Sequence, residues 1–330
     1  MVVVEVVPWE DEAAVRLRVA QQAELRDRYG DDDIGHEMTG DQIVAMVVLR
    51  EHGEPVACVA LRDASEDLGP GVGEVKRLYT DPAARGRGYS RRVMLELEQI
   101  ARGQGWNRLV LETGVLQPEA IGLYLTLGYR SIPNYGEYVD EASSRCFAKD
   151  LTSGAPQRVA GTTAPRPRPE LVEVGWDHPD AFALRVAMRE FNVGLYPEMV
   201  DPDEPDGGFA SDDVRQGVGA LTTWIARLDG EPVGCLTLRA PRPGCPAGSA
   251  ELKKLFVTDA ARGAGVARAL LGAADDAARD RGFTSLVLST GIRQPEAITL
   301  YLSDGYRPVL PFTDPAGEFL LLWFAKPLVG

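Results

Sequence analysis

Two short runs in the sequence carry residue types suited to holding an anion, best a phosphate. One is Arg85-Gly86-Arg87-Gly88-Tyr89-Ser90 and the other is Arg262-Gly263-Ala264-Gly265-Val266-Ala267. In each, two glycines two positions apart let the backbone turn tightly and bring its amides close to a ligand. A helical pattern follows each run. Its unpaired N–H groups and the positive end of its dipole favour an anion there. Arg85, Arg87 and Arg91, and Arg262 and Arg268 in the second run, add positive charge locally. The same residues also suit a glycine-rich turn with solvated arginines. No G-K-[ST] follows, so neither run is a Walker loop, and neither is G-x-G-x-x-G.

The second run exists because the chain repeats itself. Gly53-Glu54-Pro55-Val56-Ala57-Cys58 returns as Gly230-Glu231-Pro232-Val233-Gly234-Cys235. Gln117-Pro118-Glu119-Ala120-Ile121 returns as Gln294-Pro295-Glu296-Ala297-Ile298. The offset is 177 throughout, and no gap is needed between Gly53 and Arg130. That period is too long for a solenoid repeat and predicts two copies of one domain.

The elements that hold these loops are legible on either side of them. Val2 to Val7 reads as a strand, and Glu10 to Tyr29 has helical spacing. Met46 to Leu49 and Pro55 to Arg62 read as a hairpin around His52-Gly53. Glu74 to Thr80 reads as a strand, Arg87 to Gly103 as a helix and Leu109 to Thr113 as a strand. Pro118 to Leu127 reads as a short helix with proline in its first turn and Gly128 as its stop. Cys146 to Leu151 reads as a last strand, and Trp323 to Leu328 ends the second copy alike. The class is mixed α and β. Thr152 to Pro169 holds four prolines and no hydrophobic period. It reads as a linker between domains 1–151 and 170–330.

Composition bounds the partners. The chain has 330 residues, 45% of them hydrophobic, and a net charge of −14. Such acidity disfavours broad binding to nucleic acid. No apolar run approaches the roughly 18 residues that a membrane-crossing helix needs. The first residues lack the basic leader of a signal peptide, so the expected compartment is the cytoplasm. Cys58, Cys146, Cys235 and Cys245 form no C-x-x-C pair, and the three histidines are scattered. No metal site and no disulfide framework are expected. Cys58 and Cys235 read as small buried hydrophobes.

The sequence resembles the GNAT N-acetyltransferase superfamily. The family loop [Q/R]-x-x-G-x-[G/A] is met by Arg262 to Ala267, and by Arg85 to Ser90 except for serine at its last position. The later signature A-x-x-x-Y-x-x-x-G-[F/Y] occurs as Ala120, Tyr124, Gly128, Tyr129 and again as Ala297, Tyr301, Gly305, Tyr306. The asparagine often found before that alanine is Gln117 or Gln294 here.

The resemblance implies two copies of an α/β (α+β) fold. Each would be a mixed, mostly antiparallel sheet with splayed central strands flanked by helices. It implies acetyl-CoA as co-substrate, lying between the splayed strands. Amides of Gly86 to Ser90, or Gly263 to Ala267, would hold its pyrophosphate. Leu78-Tyr79-Thr80, or Leu255-Phe256-Val257, would pair with the pantetheine arm as an added strand. The resemblance also places Tyr124, or Tyr301, as the acid facing the thioester sulfur. It places Glu74, or Glu251, where several members carry a catalytic glutamate. Desolvation on a half-buried strand would raise that carboxylate's pKa, whereas Lys76 or Lys253 on the same face would oppose the shift. A structural Glu–Lys pair is the other reading, and a water relay from another carboxylate stays open.

Acetyl transfer by direct attack of an amine needs no cysteine nucleophile. The expected acceptor is a small-molecule amine. An acidic rim, Asp31-Asp32-Asp33 with Glu37 in one copy and Asp201, Asp203, Glu204 and Asp206 in the other, would steer a cation. The first copy keeps I-P-x-[Y/F]-G-x-Y at Ile132 to Tyr138 and the second has lost it. Both copies are therefore expected to bind CoA, with the first the catalytic one. The alternatives are a non-catalytic acyl-CoA-binding regulatory or scaffolding module, and transfer of a longer acyl group. The duplication fits a monomeric pseudo-dimer or a homodimer.

Overall fold

The computed structural model describes residues 1–30, 38–152, 168–197, 200, 208–313 and 320–328. The chain divides into two compact units, Met1–Val159 and Ala160–Gly330. Each contains one seven-stranded sheet. Most of the expected linker, 153–167, lies outside the described residues.

The first unit runs β1 (Val2–Val7), α1 (Glu12–Tyr29), β2 (Ile43–Glu51), β3 (Glu54–Asp63), α2 (Ser65–Leu68), β4 (Val72–Thr80), α3 (Tyr89–Gly103), β5 (Arg108–Gly114), α4 (Pro118–Thr126), β6 (Arg130–Ile132) and β7 (Ser144–Asp150). Its strand order is β1-β2-β3-β4-β5-β7-β6. The second unit runs β8 (Glu170–Val174), α5 (Pro179–Leu195), α6 (Phe209–Gly217), β9 (Ala220–Leu228), β10 (Glu231–Arg239), β11 (Ser249–Val257), α7 (Val266–Asp280), β12 (Ser285–Gly291), α8 (Pro295–Ser303), β13 (Arg307–Pro308) and β14 (Leu321–Pro327). It repeats the order as β8-β9-β10-β11-β12-β14-β13.

The central strands read as continuous apolar runs because helices cover both faces. Ala45–Leu49 and Ala57–Leu61 are buried throughout. On one face Ala13, Ala14 and Leu17 of α1 pack on Met46, Val48, Cys58 and Ala60. The helix α3, with Val93, Met94, Leu97 and Ala101 buried, packs on β2 and β3 from the other. Cys58 and Cys235 are buried, and burial pushes both thiols up to about 12.

Every strand pairing is antiparallel except one in each sheet. The strands β4 and β5 run parallel from Val72↔Arg108 to Val75↔Leu111 and pair no further. Likewise β11 and β12 pair from Ser249↔Ser285 to Glu251↔Val287. A bulge lies just past each junction. Arg77 and Lys254 have φ of 56° and 58°, and the register against β3 and β10 slips there. A bulge bends and re-aims its strand. The sheet consequently opens into a V beyond Val75 and beyond Glu251.

Candidate active site

One wall of the V is a strand edge whose outward backbone groups pair with no neighbouring strand. The Asp81 N–H donates to the Val56 carbonyl at 2.9 Å, and Tyr79 lies opposite Cys58. Residues 79 and 81 therefore bond to β3. With a period of two, the N–H and C=O of Leu78 and Thr80 face the side that β5 has left. The same argument holds in the second unit, where Thr258 N–H donates to Val233 at 2.9 Å and Phe256 lies opposite Cys235. The two segments expected to pair with a pantetheine arm are thus edge segments at the mouth of the V.

The glycine loops lie directly after these edges. Gly86 and Gly88 have φ of 77° and 78°, and Gly263 and Gly265 have 77° and 84°. A side chain at Gly88 would meet nothing, so glycine is there for its left-handed backbone rather than for space. Gly88 is the N-cap of α3, which therefore starts at Tyr89 rather than at Arg87 as the sequence suggested. No side chain caps α3 or α7, which leaves their first amides to an anion. Thr80 and Ser90 hydroxyls share a hydrogen bond of 2.8 Å across the loop. Arg85 donates to the Thr80 carbonyl at 3.0 Å and pairs with Glu24 of α1. Arg87 pairs with Glu51 at 2.7 Å, and the Tyr89 hydroxyl donates to the same carboxylate at 2.6 Å. Left-handed glycines, uncapped helix amides and adjacent arginines fit a diphosphate in both units.

Tyr124 and Tyr301 hold corresponding places, buried on α4 and α8. Tyr124 packs edge-on to Tyr129 at 5.9 Å and against Phe147 at 6.4 Å. Tyr301 does the same with Tyr306 at 5.6 Å and Phe324 at 6.2 Å. Burial raises the pKa of both hydroxyls, and Glu112 adds to the effect at Tyr124. Both tyrosines keep their protons at neutral pH and so have one to donate.

The expected bases sit inside ion-pair clusters. Glu74, 1% exposed, meets Arg62 at 2.8 Å and Lys76 at 2.9 Å, and accepts from the Tyr135 hydroxyl at 2.8 Å. Glu251, fully buried, meets Arg242 at 2.8 Å, Lys253 at 3.1 Å and Arg239 at 3.4 Å. Donors already crowd the places where a substrate proton would arrive. The physical reason is burial, since a carboxylate removed from water needs partners for its charge.

A different carboxylate has the environment expected of a base. Glu112 of β5 lies where that strand has parted from β4, partly buried. It accepts from the Ser144 hydroxyl at 2.6 Å. Burial raises its pKa above the usual carboxylate range, with Glu74 and Glu137 adding to the shift and Ser144 and Lys76 opposing it. Sequence reasoning missed this residue. Its signal was the single mismatch where Glu112-Thr113-Gly114 returns as Ser289-Thr290-Gly291.

Other differences between the clefts follow the same direction. Tyr135, Ser144 and Cys146 are replaced by Phe312, Leu321 and Trp323. In the first helices the correspondence is also clear. Trp9, Arg18 and Tyr29 return 167 positions later as Trp176, Arg185 and Tyr196. Each arginine stacks on its tryptophan, at 3.3 Å and 3.8 Å. Each tyrosine hydroxyl accepts a backbone N–H just past the end of β5 or β12. Glu24 thereby corresponds to Phe191, and Arg262 stacks on Phe191 where Arg85 pairs with Glu24. The expected acidic rims at 31–33, 37, 201, 203, 204 and 206 lie outside the described residues. Among the described residues no cluster of acidic, histidine or cysteine side chains could hold a metal. No described helix is long and apolar enough to cross a membrane.

Two sheets, each opened at its one parallel junction with a glycine cradle at the mouth, define a duplicated α/β acyltransferase fold. A model of the acetyltransferase (GNAT) family matches residues 8–129 and 186–306, and the chain belongs to that family. The IAA acetyltransferase of Azospirillum brasilense is 36% identical over 108 residues, which cover 33% of this chain and 69% of that protein. N-acetyltransferase 8 of Rattus norvegicus is 38% identical over 89 residues, covering 26% of this chain and 38% of that one. The chain thus spans well under half of that relative's length. The PaiA N-acetyltransferase from Thermoplasma acidophilum, solved in complex with coenzyme A, covers 48% of this chain and 99% of its own at 15% identity and a TM-score of 0.38.

Proposed function

We propose that the protein is an acetyl-CoA-dependent N-acetyltransferase acting on a small-molecule amine, with its N-terminal unit catalytic. The observation that carries this is the pairing of a raised-pKa carboxylate, Glu112, with a protonated tyrosine, Tyr124, beside a diphosphate cradle. Amides of Gly86 to Ser90 hold the pyrophosphate, and the edge of Leu78 to Thr80 aligns the pantetheine arm. Glu112 takes a proton from the acceptor's ammonium group, directly or through a water. The freed amine nitrogen then attacks the thioester carbonyl carbon. A C–N bond forms and the C–S bond breaks. Tyr124 gives its proton to the departing sulfur and regains the one that the attacking nitrogen sheds, while Glu112 releases its own to solvent. The products are the amide, free CoA and one released proton. Glu74 anchors Lys76 and Tyr135 around this centre and is a positioning residue, not the base.

The C-terminal unit favours a second reading for itself alone. Ser289 stands where Glu112 does, so that cradle is proposed to bind acyl-CoA without turning it over. Tyr124→Phe and Tyr301→Phe, assayed separately for CoA release against a panel of amines, test the assignment. An acid–base group contributes about 10²–10⁴ in rate, so Tyr124→Phe is expected to remove most turnover and Tyr301→Phe none. Loss confined to Tyr301→Phe would reverse the assignment.

A further inference from the structure

Gln21 lies on α1, one turn before Glu24, and reaches the strand edge that faces the V. Its Nε2 donates to the Leu78 carbonyl at 2.9 Å. Because that partner is an acceptor, the amide's orientation is fixed, and Oε1 must point the other way. Oε1 is buried and has no partner among the described residues. Buried acceptors are rarely left unmet, and an orphan calls for a donor absent from the protein itself. The Leu78 carbonyl is one of the outward groups of the free edge. The glutamine amide therefore carries that edge one amide further, with its donor consumed by the strand and its acceptor presented beyond it.

We infer that Gln21 is a cofactor-binding residue whose Oε1 accepts an amide N–H of the pantetheine arm of an acyl-CoA. The inference rests on the reading of β4 as the pantetheine edge. A pantetheine arm carries two amide N–H groups spaced along an extended chain, which is the donor chemistry that a strand edge recognises. The counterpart of Gln21 in the second unit is Met188, 167 positions on. Methionine can neither donate to the strand carbonyl nor offer a strong acceptor. The two units therefore grip the same phosphates but hold the arm differently.

The test is calorimetry on the full chain with two ligands, coenzyme A and adenosine 3′,5′-bisphosphate. The second carries two of coenzyme A's phosphate groups and lacks the pantetheine arm. Gln21→Met installs the residue of the second unit. It is expected to weaken one coenzyme A site about fivefold, the worth of one hydrogen bond, and to leave bisphosphate binding unchanged. Gln21→Leu is expected to give the same split, and either variant that keeps the wild-type melting temperature decides the matter. Equal loss for both ligands, or loss for neither, overturns the inference. A change confined to KM for the amine assigns the N–H to the acceptor and also overturns it. A wild-type chain that binds the bisphosphate and gains nothing from the arm overturns the reading of β4 itself, which separates the two failures.

Discussion

The two units share what the backbone does and differ in what the side chains do. Both have the bulge, the splay, the left-handed glycines and an uncapped helix after them. Both have a buried tyrosine on the helix that follows the V. On the proposed function, the differences fall on groups that would move or place protons. The first cleft has Glu112, Ser144 and Tyr135, and the second has Ser289, Leu321 and Phe312. Holding a diphosphate depends on φ angles and unpaired amides, which tolerate changes in neighbouring side chains. Proton transfer depends on one carboxylate in one environment, and a single substitution removes it. Duplication can thus keep two binding sites while keeping one reactive centre.

The largest way to break this comparison is at Glu112. Glu112→Gln is expected to lower turnover by about 10²–10⁴ with coenzyme A affinity unchanged. Ser289→Ala is expected to do nothing. The pH dependence follows from the direction of the shift. The group works ionised and its folded pKa is raised, so activity falls with acid at a higher pH than an ordinary carboxylate would give. Stability has the opposite sign. A raised carboxyl pKa gives stability that is full below the unfolded pKa and is lost as pH rises through the folded one. Glu112→Gln is accordingly expected to melt no lower than wild type at pH 7. An inactive variant that also unfolds would undo the assignment.

The next effect separates Glu112 from Glu74. Glu74→Ala takes the buried carboxylate from Arg62 and Lys76, leaving them Asp67 and the Tyr138 hydroxyl, and breaking such a pair costs about 3 kcal/mol. The corresponding Glu251→Ala is expected to cost at least as much, because three cations converge there. Chemical denaturation of both variants measures this. Were Glu74 the base instead, Glu74→Gln would abolish turnover in the protein that stays folded, and Glu112→Gln would keep it.

The duplication, the succession of elements along each copy and both glycine loops were legible in the sequence because each has a local cause. Glycine spacing, hydrophobic period and a repeat with no gap are all short-range signals. The partners of Glu74 were not, since Arg62, Lys76 and Tyr135 come from three segments that only the sheet brings together. Glu112 was hidden for a related reason. On paper it is one acidic residue at the end of an apolar strand. Its environment arises from the splay, which leaves that end of β5 without a partner strand on one side.

A smaller effect tests the shared part of the comparison. Gly88→Ala and Gly265→Ala each place a side chain on a left-handed residue, which costs about 1–2 kcal/mol. There is open space at both positions, so no clash adds to the strain. Both variants are expected to fold and to lose coenzyme A affinity at their own cradle alone. Loss of both sites from one substitution would mean that the cradles are not independent.

The smallest effect concerns the arginine that only one cradle has. Arg87 is 52% exposed and pairs with Glu51 at 2.7 Å. An exposed pair of this kind contributes about 0–1 kcal/mol, because water screens the attraction and two long side chains must be held still. The Tyr89 hydroxyl keeps its own bond to Glu51 when Arg87 is removed. The second unit has Ala264 at this position and forms the same loop. Arg87→Ala is therefore expected to shift the melting temperature by no more than about 4 °C and to weaken phosphate binding only at low salt, where charge acts over distance. A large effect that persists in 0.5 M salt would mean that the side chain, rather than the backbone, holds the diphosphate in the first unit. The two cradles would then differ in kind.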